Sequence, residues 1–129
     1  RIYVSIGDED LFNRLVHYVS CHKCVYTVSL GLSELLAGFS FIDIRDFQWK
    51  ENPVDFVEIS TSVPINDILE GGIDISPGKS YLKENMPVKM KSTREVLQYS
   101  EILTESRGDS LKVKVNGYWE NQGLKIKLL

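Results

Sequence analysis

The first part of the chain spaces its apolar residues like a strand followed by a helix. Residues 2–6 predict a short strand that Gly7 ends, and the Asp8 side chain is a good N-cap for the helix that follows. Over residues 10–21 the apolar positions recur every three or four residues, which predicts an amphipathic helix. These positions are Leu11, Phe12, Leu15, Val16 and Val19.

The middle of the chain is dominated by β-type composition. Residues 25–30 predict a second strand and 33–37 a short helix. Residues 39–50 and 54–63 flank a polar, proline-containing segment, 51–53, which predicts a hairpin. If Lys50 pairs with Val54, Asp46 lies opposite Glu58, and such opposed carboxylates can share a cation or divide acid and base roles. Residues 65–69 predict one or two helical turns before a loop-rich stretch that runs to about Met86. Residues 87–91 offer a further strand before the next helix.

A second long helix is predicted over residues 92–107. Ser92 and Glu95 have the spacing of a capping box, in which each side chain satisfies a backbone amide at the helix start. Gly108 is the expected C-terminal stop. An apolar face follows the capping box, formed by Val96, Tyr99, Ile102 and Leu103.

The C-terminal segment alternates apolar and basic residues with a period of two, which is typical of strands with one buried face. Asn116 and Gly117 form a strong turn signal, and residues 121–123 offer another. These signals predict either one hairpin with a long loop or a short meander through Tyr118 and Trp119. The alternating residues are Leu111, Val113 and Val115 with Lys112 and Lys114, and Leu124, Ile126 and Leu128 with Lys125 and Lys127.

Together these elements predict one globular domain, residues 1–129, of the α+β class. The chain length lies in the usual range for a single domain. The expected architecture is a two-layer sandwich with a mainly antiparallel sheet. The two principal helices, 10–21 and 92–107, pack on one face of that sheet.

Charge is distributed unevenly along the chain. The net charge is −3, with residues 1–78 carrying −7 and residues 79–129 carrying +4. The apolar run at 25–42 is interrupted by Glu34, whose carboxylate would be costly in the middle of a bilayer. We therefore expect a soluble protein without a membrane span.

Two cysteines, Cys21 and Cys24, lie next to two histidines. Two thiols cannot build the disulfide framework of a small secreted domain, so an intracellular, reducing setting is expected. Thiolates and imidazoles are zinc ligands, which makes His17, Cys21 and Cys24 a candidate metal site, with His22 beside them. A zinc ribbon needs a second cysteine pair, which this chain lacks, so the expectation is no cofactor, with zinc as the alternative.

The basic strands at the C terminus are a candidate binding surface. Lysines and aromatic rings on a sheet can hold single-stranded nucleic acid through phosphate contacts and base stacking. Lysines on an exposed strand also discourage edge-to-edge aggregation, which is the competing explanation. The candidate binding residues are Lys112, Lys114, Tyr118, Trp119, Lys125 and Lys127.

No catalytic set emerges from the sequence. Gly78, Lys79 and Ser80 match the end of a phosphate-binding loop, but that motif needs a glycine where Ile73 stands. The leading hypothesis is a non-enzymatic protein–protein interaction or regulatory domain, with a protein partner or a second copy in a homodimer. A nucleic-acid-binding module that uses the basic C-terminal hairpin, or a zinc-containing domain, is the alternative.

Overall fold

The computed structural model describes residues 2–23, 40–51 and 54–128 of the 129-residue chain. The chain forms two compact units, Arg1–Ile44 and Arg45–Leu129. The strand and helix predicted at 25–30 and 33–37 lie outside the described residues. The expectation of a single domain stays a prediction.

The first unit contains helix α1 (Glu9–Ser20), which confirms the predicted N-terminal helix. The Oδ1 atom of Asp8 accepts a hydrogen bond from the Leu11 N–H at 2.9 Å, so the predicted N-cap is made. Residues 2–6 do not form a strand, because no described segment pairs with them to satisfy their backbone groups. No helix in the described part of the chain is both long and apolar enough to cross a membrane.

The second unit consists of nine strands and a short 3₁₀ helix (Ile65–Asp67), which lies where one or two helical turns were predicted. The strands are β1 (Gln48–Glu51), β2 (Val57–Ile59), β3 (Val63–Pro64), β4 (Ile68–Ile73), β5 (Tyr81–Met90), β6 (Val96–Glu105), β7 (Leu111–Val115), β8 (Gly117–Asn121) and β9 (Leu124–Ile126).

These strands form three antiparallel sheets of three strands each. The strand orders are β1-β8-β9, β2-β7-β4 and β3-β6-β5. The described chain is therefore mostly β, with a single α-helix of 12 residues. The predicted α+β sandwich with two principal helices is wrong.

The error lies in the helix predicted over residues 92–107, because Val96–Glu105 form strand β6 instead. The segment that contains Ser92 and Glu95 is a turn: the Arg94 N–H donates to the Lys91 carbonyl at 3.0 Å, and the Lys91 N–H donates to the Glu95 carbonyl at 2.9 Å. Strand β5, which was predicted to be loop as far as about Met86, pairs with β6 along its length and satisfies its backbone groups on that side. This long-range pairing overrides the local capping-box signal.

The hairpin predicted around residues 51–53 is also wrong. Strand β1 pairs with β8, and β2 pairs with β7, so the two predicted arms belong to different sheets. Glu58 consequently lies opposite Lys112 and not opposite Asp46. The Asp46 carbonyl instead accepts a hydrogen bond from Asn121 Nδ2 at 2.7 Å.

Strand β7 is the centre of the core, and its predicted alternation of buried and more exposed residues is confirmed. It lies between β2 and β4 and buries Leu111, Val113 and Val115. Burying each such side chain contributes roughly 1.5–3 kcal/mol. The core cluster consists of these three residues together with Val57, Ile59, Val63 and Leu103.

The chain after β7 forms a hairpin of β8 and β9. Gln122 and Gly123 both have positive φ, 49° and 83°, as a tight two-residue hairpin turn requires. Asn116 does not form a hairpin turn, because β7 and β8 belong to different sheets. Two of these sheets are joined where the Ser60 N–H donates to the Lys125 carbonyl at 2.8 Å.

Replacing Ile59 by alanine tests this assignment of the core. Ile59 is fully buried in the core cluster, so we expect Ile59→Ala to lower the free energy of unfolding by about 2–5 kcal/mol. Both tryptophans of the chain, Trp49 and Trp119, lie in the second unit, so their fluorescence during urea denaturation measures the effect. Ile75→Ala is the matched control, since Ile75 is 73% exposed and its truncation should change stability by less than about 0.5 kcal/mol. Equal effects of the two substitutions would contradict the assignment.

Candidate protein-binding surface

The β5–β6 hairpin extends beyond the sheet that supports it. Nine of the ten residues of β5 pair with β6. On its other side, β6 pairs with β3 only through Ile102 and Leu103. The part of β6 from Val96 to Glu101 therefore has one described strand partner, and its outer edge is unpaired within the described part of the chain.

The hairpin exposes large apolar side chains on both of its faces. Leu82 and Met86 lie on one face and Tyr99 on the other, because Met86 pairs with Ser100 and Pro87 pairs with Tyr99. Five large apolar residues here are each at least 40% exposed, namely Leu82, Met86, Met90, Leu97 and Tyr99.

The two edges of the hairpin are not equivalent. Strand β5 contains Pro87, two lysines, and register irregularities between Pro87 and Met90. Proline, lysine and bulges are the features that protect an edge strand from pairing with another chain. The segment from Val96 to Glu101 on β6 contains no proline and no lysine. The protective features therefore lie on the β5 edge and are absent from this part of β6.

Ion pairs hold the hairpin in register at its tip and along its length. The Lys91 Nζ lies 2.7 Å from Glu95 Oε2 across the turn, and Lys83 Nζ lies 2.7 Å from Glu101 Oε1 across the strands. Both pairs are solvent-exposed, so each contributes at most about 1 kcal/mol. They favour a defined extended geometry of β6 before any partner binds.

The sequence-predicted lysine surface is divided between two sheets. Lys112 and Lys114 lie on β7, and both ammonium groups lie near the Phe56 ring, at 5.8 and 4.7 Å from its centroid. Lys112 Nζ also lies 2.6 Å from Asp74 Oδ2, and the hydrogen bond that it donates to this carboxylate, followed by the charge of Asp74, raises the pKa of Lys112.

The other two predicted lysines lie at the β8–β9 hairpin. Lys125 Nζ is 5.3 Å from the centroid of the Tyr118 ring. Lys127 Nζ is 5.2 Å from the Trp49 ring, 3.0 Å from Asp67 Oδ2 and 3.1 Å from the Gly117 carbonyl oxygen.

Acidic partners thus neutralise two of the four lysines. Trp119 packs edge-to-face on Trp49, with 5.4 Å between their ring centroids, so this indole has an intramolecular partner as well. These contacts reduce the charge and the ring surface that a nucleic acid would find. Binding of nucleic acid by this surface stays a prediction.

The predicted metal-binding cluster is seen only in part. His17 Nδ1 and Cys21 Sγ lie 4.0 Å apart on the exposed surface at the end of α1, and Cys24 lies outside the described residues. His22 follows α1 with a positive φ of 52°. Within residues 2–23, 40–51 and 54–128, no group of three or more His, Cys, Asp or Glu side chains is arranged to hold a metal ion.

The incomplete phosphate-loop motif has a structural role. Lys79 Nζ donates a hydrogen bond to the Ser110 carbonyl at 2.6 Å, so this lysine holds the start of β7 in place. The tyrosine that follows, Tyr81, packs against the core cluster and begins β5.

Sequence patterns missed the β5–β6 hairpin because residues up to about Met86 were predicted to be loop and residues 92–107 a helix. The signal that was available is the run from Tyr81 to Met90, ten residues without glycine that precede a second run of similar length.

Comparison with known proteins finds no family model, no curated protein and no solved structure that this chain matches.

Substitution of Gly117 tests the geometry of the tryptophan pair. A Cβ at this position would lie 2.2 Å from Trp49 Cζ2 and 2.8 Å from the Lys50 carbonyl oxygen. We therefore expect Gly117→Ala to displace Trp49, lower the melting temperature and shift the tryptophan emission spectrum.

The control for this experiment is Gly78→Ala. Gly78 has a φ of +86°, so alanine is strained there, but no atom lies within 4 Å of its added Cβ. This variant should lose stability while its tryptophan emission stays native. An unchanged emission spectrum in Gly117→Ala would show that the two indoles are not packed as described.

Proposed function

We propose that this chain is a non-enzymatic protein-binding domain that receives an extended segment of a partner protein along the outer edge of β6. The observation that supports this proposal is the contrast between the two edges of the β5–β6 hairpin. The β5 edge carries Pro87 and two lysines, whereas β6 is unprotected from Val96 to Glu101.

Main-chain pairing would supply much of the affinity. An added strand hydrogen-bonds to the unpaired N–H and C=O groups of β6, and each such bond contributes roughly 0.5–1.5 kcal/mol net. The groups are already held in an extended geometry by β5, so little conformational entropy is lost on the receiving side.

Side chains beside the edge determine which segment fits. Tyr99 and Glu101 lie on one face of β6, since residues two apart in a strand share a face. The Tyr99 ring is more than half exposed, and the residue opposite it on β5 is Pro87. The partner segment would therefore carry an apolar residue next to Tyr99, with further apolar residues at alternate positions.

Site-specific photo-crosslinking tests the proposal in the native source. A benzoylphenylalanine at position 99 should form a covalent adduct with one protein, whereas the same residue at exposed position 75 should not. With that purified partner, Leu97→Lys combined with Tyr99→Lys should weaken binding by roughly tenfold or more, because desolvated charge is introduced at the interface. Ile75→Lys is the matched control and should bind like the unmodified chain.

Hydrogen exchange distinguishes this function from the nucleic-acid alternative. The partner should protect the backbone amides of Val96–Glu101 and leave those of β7 unchanged. Protection of the β8–β9 hairpin by a labelled oligonucleotide, with affinity that falls steeply as salt is raised, would contradict the proposal. Equal crosslinking at positions 99 and 75 would contradict it as well.

A further inference from the structure

The turn that joins β6 to β7 displays an arginine and an aspartate on either side of a glycine. Arg107, Gly108 and Asp109 are all exposed, and Ser110 follows them. Gly108 has a φ of +82°, a conformation that favours glycine, and its N–H donates to the Glu105 carbonyl at 3.1 Å. The charged pair therefore lies on a tight turn with a defined backbone.

The Glu105 carboxylate stabilises this turn by accepting hydrogen bonds from its backbone. Its Oε2 accepts hydrogen bonds from the N–H groups of Arg107 at 2.8 Å and Asp109 at 2.9 Å, and its Oε1 accepts one from Ser80 at 3.1 Å. Glu105 is only 3% exposed, although its polar contacts are all with backbone groups. The hydrogen bond from Asp109, followed by those from Ser80 and Arg107, lowers the pKa of this carboxyl despite its burial.

Contacts from the neighbouring loop fix the turn at both ends. The Ser106 N–H donates to the Ser80 carbonyl at 2.8 Å, and Lys79 Nζ donates to the Ser110 carbonyl at 2.6 Å. A turn held in this way loses little conformational entropy when a partner binds it.

The two charged side chains of the turn are available to a partner. The salt bridges seen in the described part of the chain use other residues, and neither Arg107 nor Asp109 belongs to one. Elsewhere on this unit, lysines at the sheet surface pair with acids, as Lys112 does with Asp74. What distinguishes this turn from the other exposed charges is that its two opposite charges flank one glycine on a backbone fixed by Glu105.

The chemistry of that partner follows from the two groups. A guanidinium is best matched by a carboxylate pocket, with which it forms paired hydrogen bonds. A carboxylate is a ligand for a hard divalent cation such as Mg²⁺ or Ca²⁺. We propose that the Arg107–Asp109 turn binds a cell-adhesion receptor whose site combines an acidic pocket with a bound divalent cation.

This inference does not depend on the proposed strand-binding function, because it uses a different surface. The turn at 106–110 lies at the end of β6 opposite to Val96, so a variant of one surface leaves the other intact. The proposal requires the turn to reach the outside of a cell. It is thus an alternative to the intracellular setting predicted from the two cysteines.

The test uses the full chain and a purified adhesion-receptor ectodomain that binds the linear peptide Arg-Gly-Asp-Ser in a Mg²⁺-dependent manner. Binding measured by surface plasmon resonance should be abolished by EDTA and competed by the peptide. Asp109→Asn and Arg107→Gln should each weaken binding by roughly tenfold or more, since each removes one charged contact. Arg94→Gln, at another exposed turn arginine, and Glu84→Gln are matched controls that should bind like the unmodified chain.

Three results would overturn the proposal. The first is no binding by a chain that retains its native tryptophan emission. The second is binding that persists in Asp109→Asn or in EDTA. The third is recovery of the chain solely from the cytosol of its native source. Loss of binding in Leu97→Lys with Tyr99→Lys, but not in Asp109→Asn, would place the interaction on β6 instead.

Glu105→Gln tests whether the buried carboxylate positions the turn. The folded-state pKa of Glu105 lies below its ordinary value of 4.5, so its stabilising effect is present above that pH and is lost as the pH falls below it. We expect the melting temperature of the unmodified chain to fall more steeply between about pH 5 and pH 3 than that of Glu105→Gln. Receptor affinity at neutral pH should fall towards that of the linear peptide. Parallel melting curves for the two proteins would show that this carboxylate does not hold the turn.

Discussion

Burial of one face of β7 is the constraint on which the second unit depends. Leu111, Val113 and Val115 alternate with lysines, and strands β2 and β4 pair with both edges of β7. The same core takes Leu103 from β6, so it anchors the base of the β5–β6 hairpin as well. Each sheet contributes backbone pairing, but the apolar core decides where the strands of different sheets meet.

The β5–β6 hairpin shows how one stable core can support a strand edge whose backbone groups are unpaired. Its base is fixed by the pairing of β3 with Ile102 and Leu103, and its outer part depends on β5 alone. The N–H and C=O groups at such an edge form hydrogen bonds with water, and a pairing strand can take the place of that water. Proline and lysine on β5 limit this capacity to the β6 side.

The turn after β6 depends on a different physical device. Three backbone N–H groups converge on the nearly buried carboxylate of Glu105, and charge-assisted hydrogen bonds of this kind are stronger than neutral ones. These hydrogen bonds stabilise one backbone conformation of a loop whose charged side chains remain exposed. The lysines of the sequence-predicted binding surface show the opposite arrangement. Their ammonium groups lie close to acidic side chains or aromatic rings of the same chain.

Local pattern was sufficient for the elements whose stabilising contacts are close in sequence. The Asp8 cap of α1 and the period-two alternation of β7 depend on neighbouring residues, and both were predicted correctly. It failed at residues 92–107, where Val96, Tyr99, Ile102 and Leu103 follow helical spacing although the segment pairs as a strand. The partner that decides this, β5, was predicted as a strand only over residues 87–91. The tertiary structure also decided which edge of β6 stays unpaired and that Glu105 accepts a hydrogen bond from Ser80. Both depend on segments that are distant in sequence, because backbone hydrogen bonds and burial depend on three-dimensional proximity.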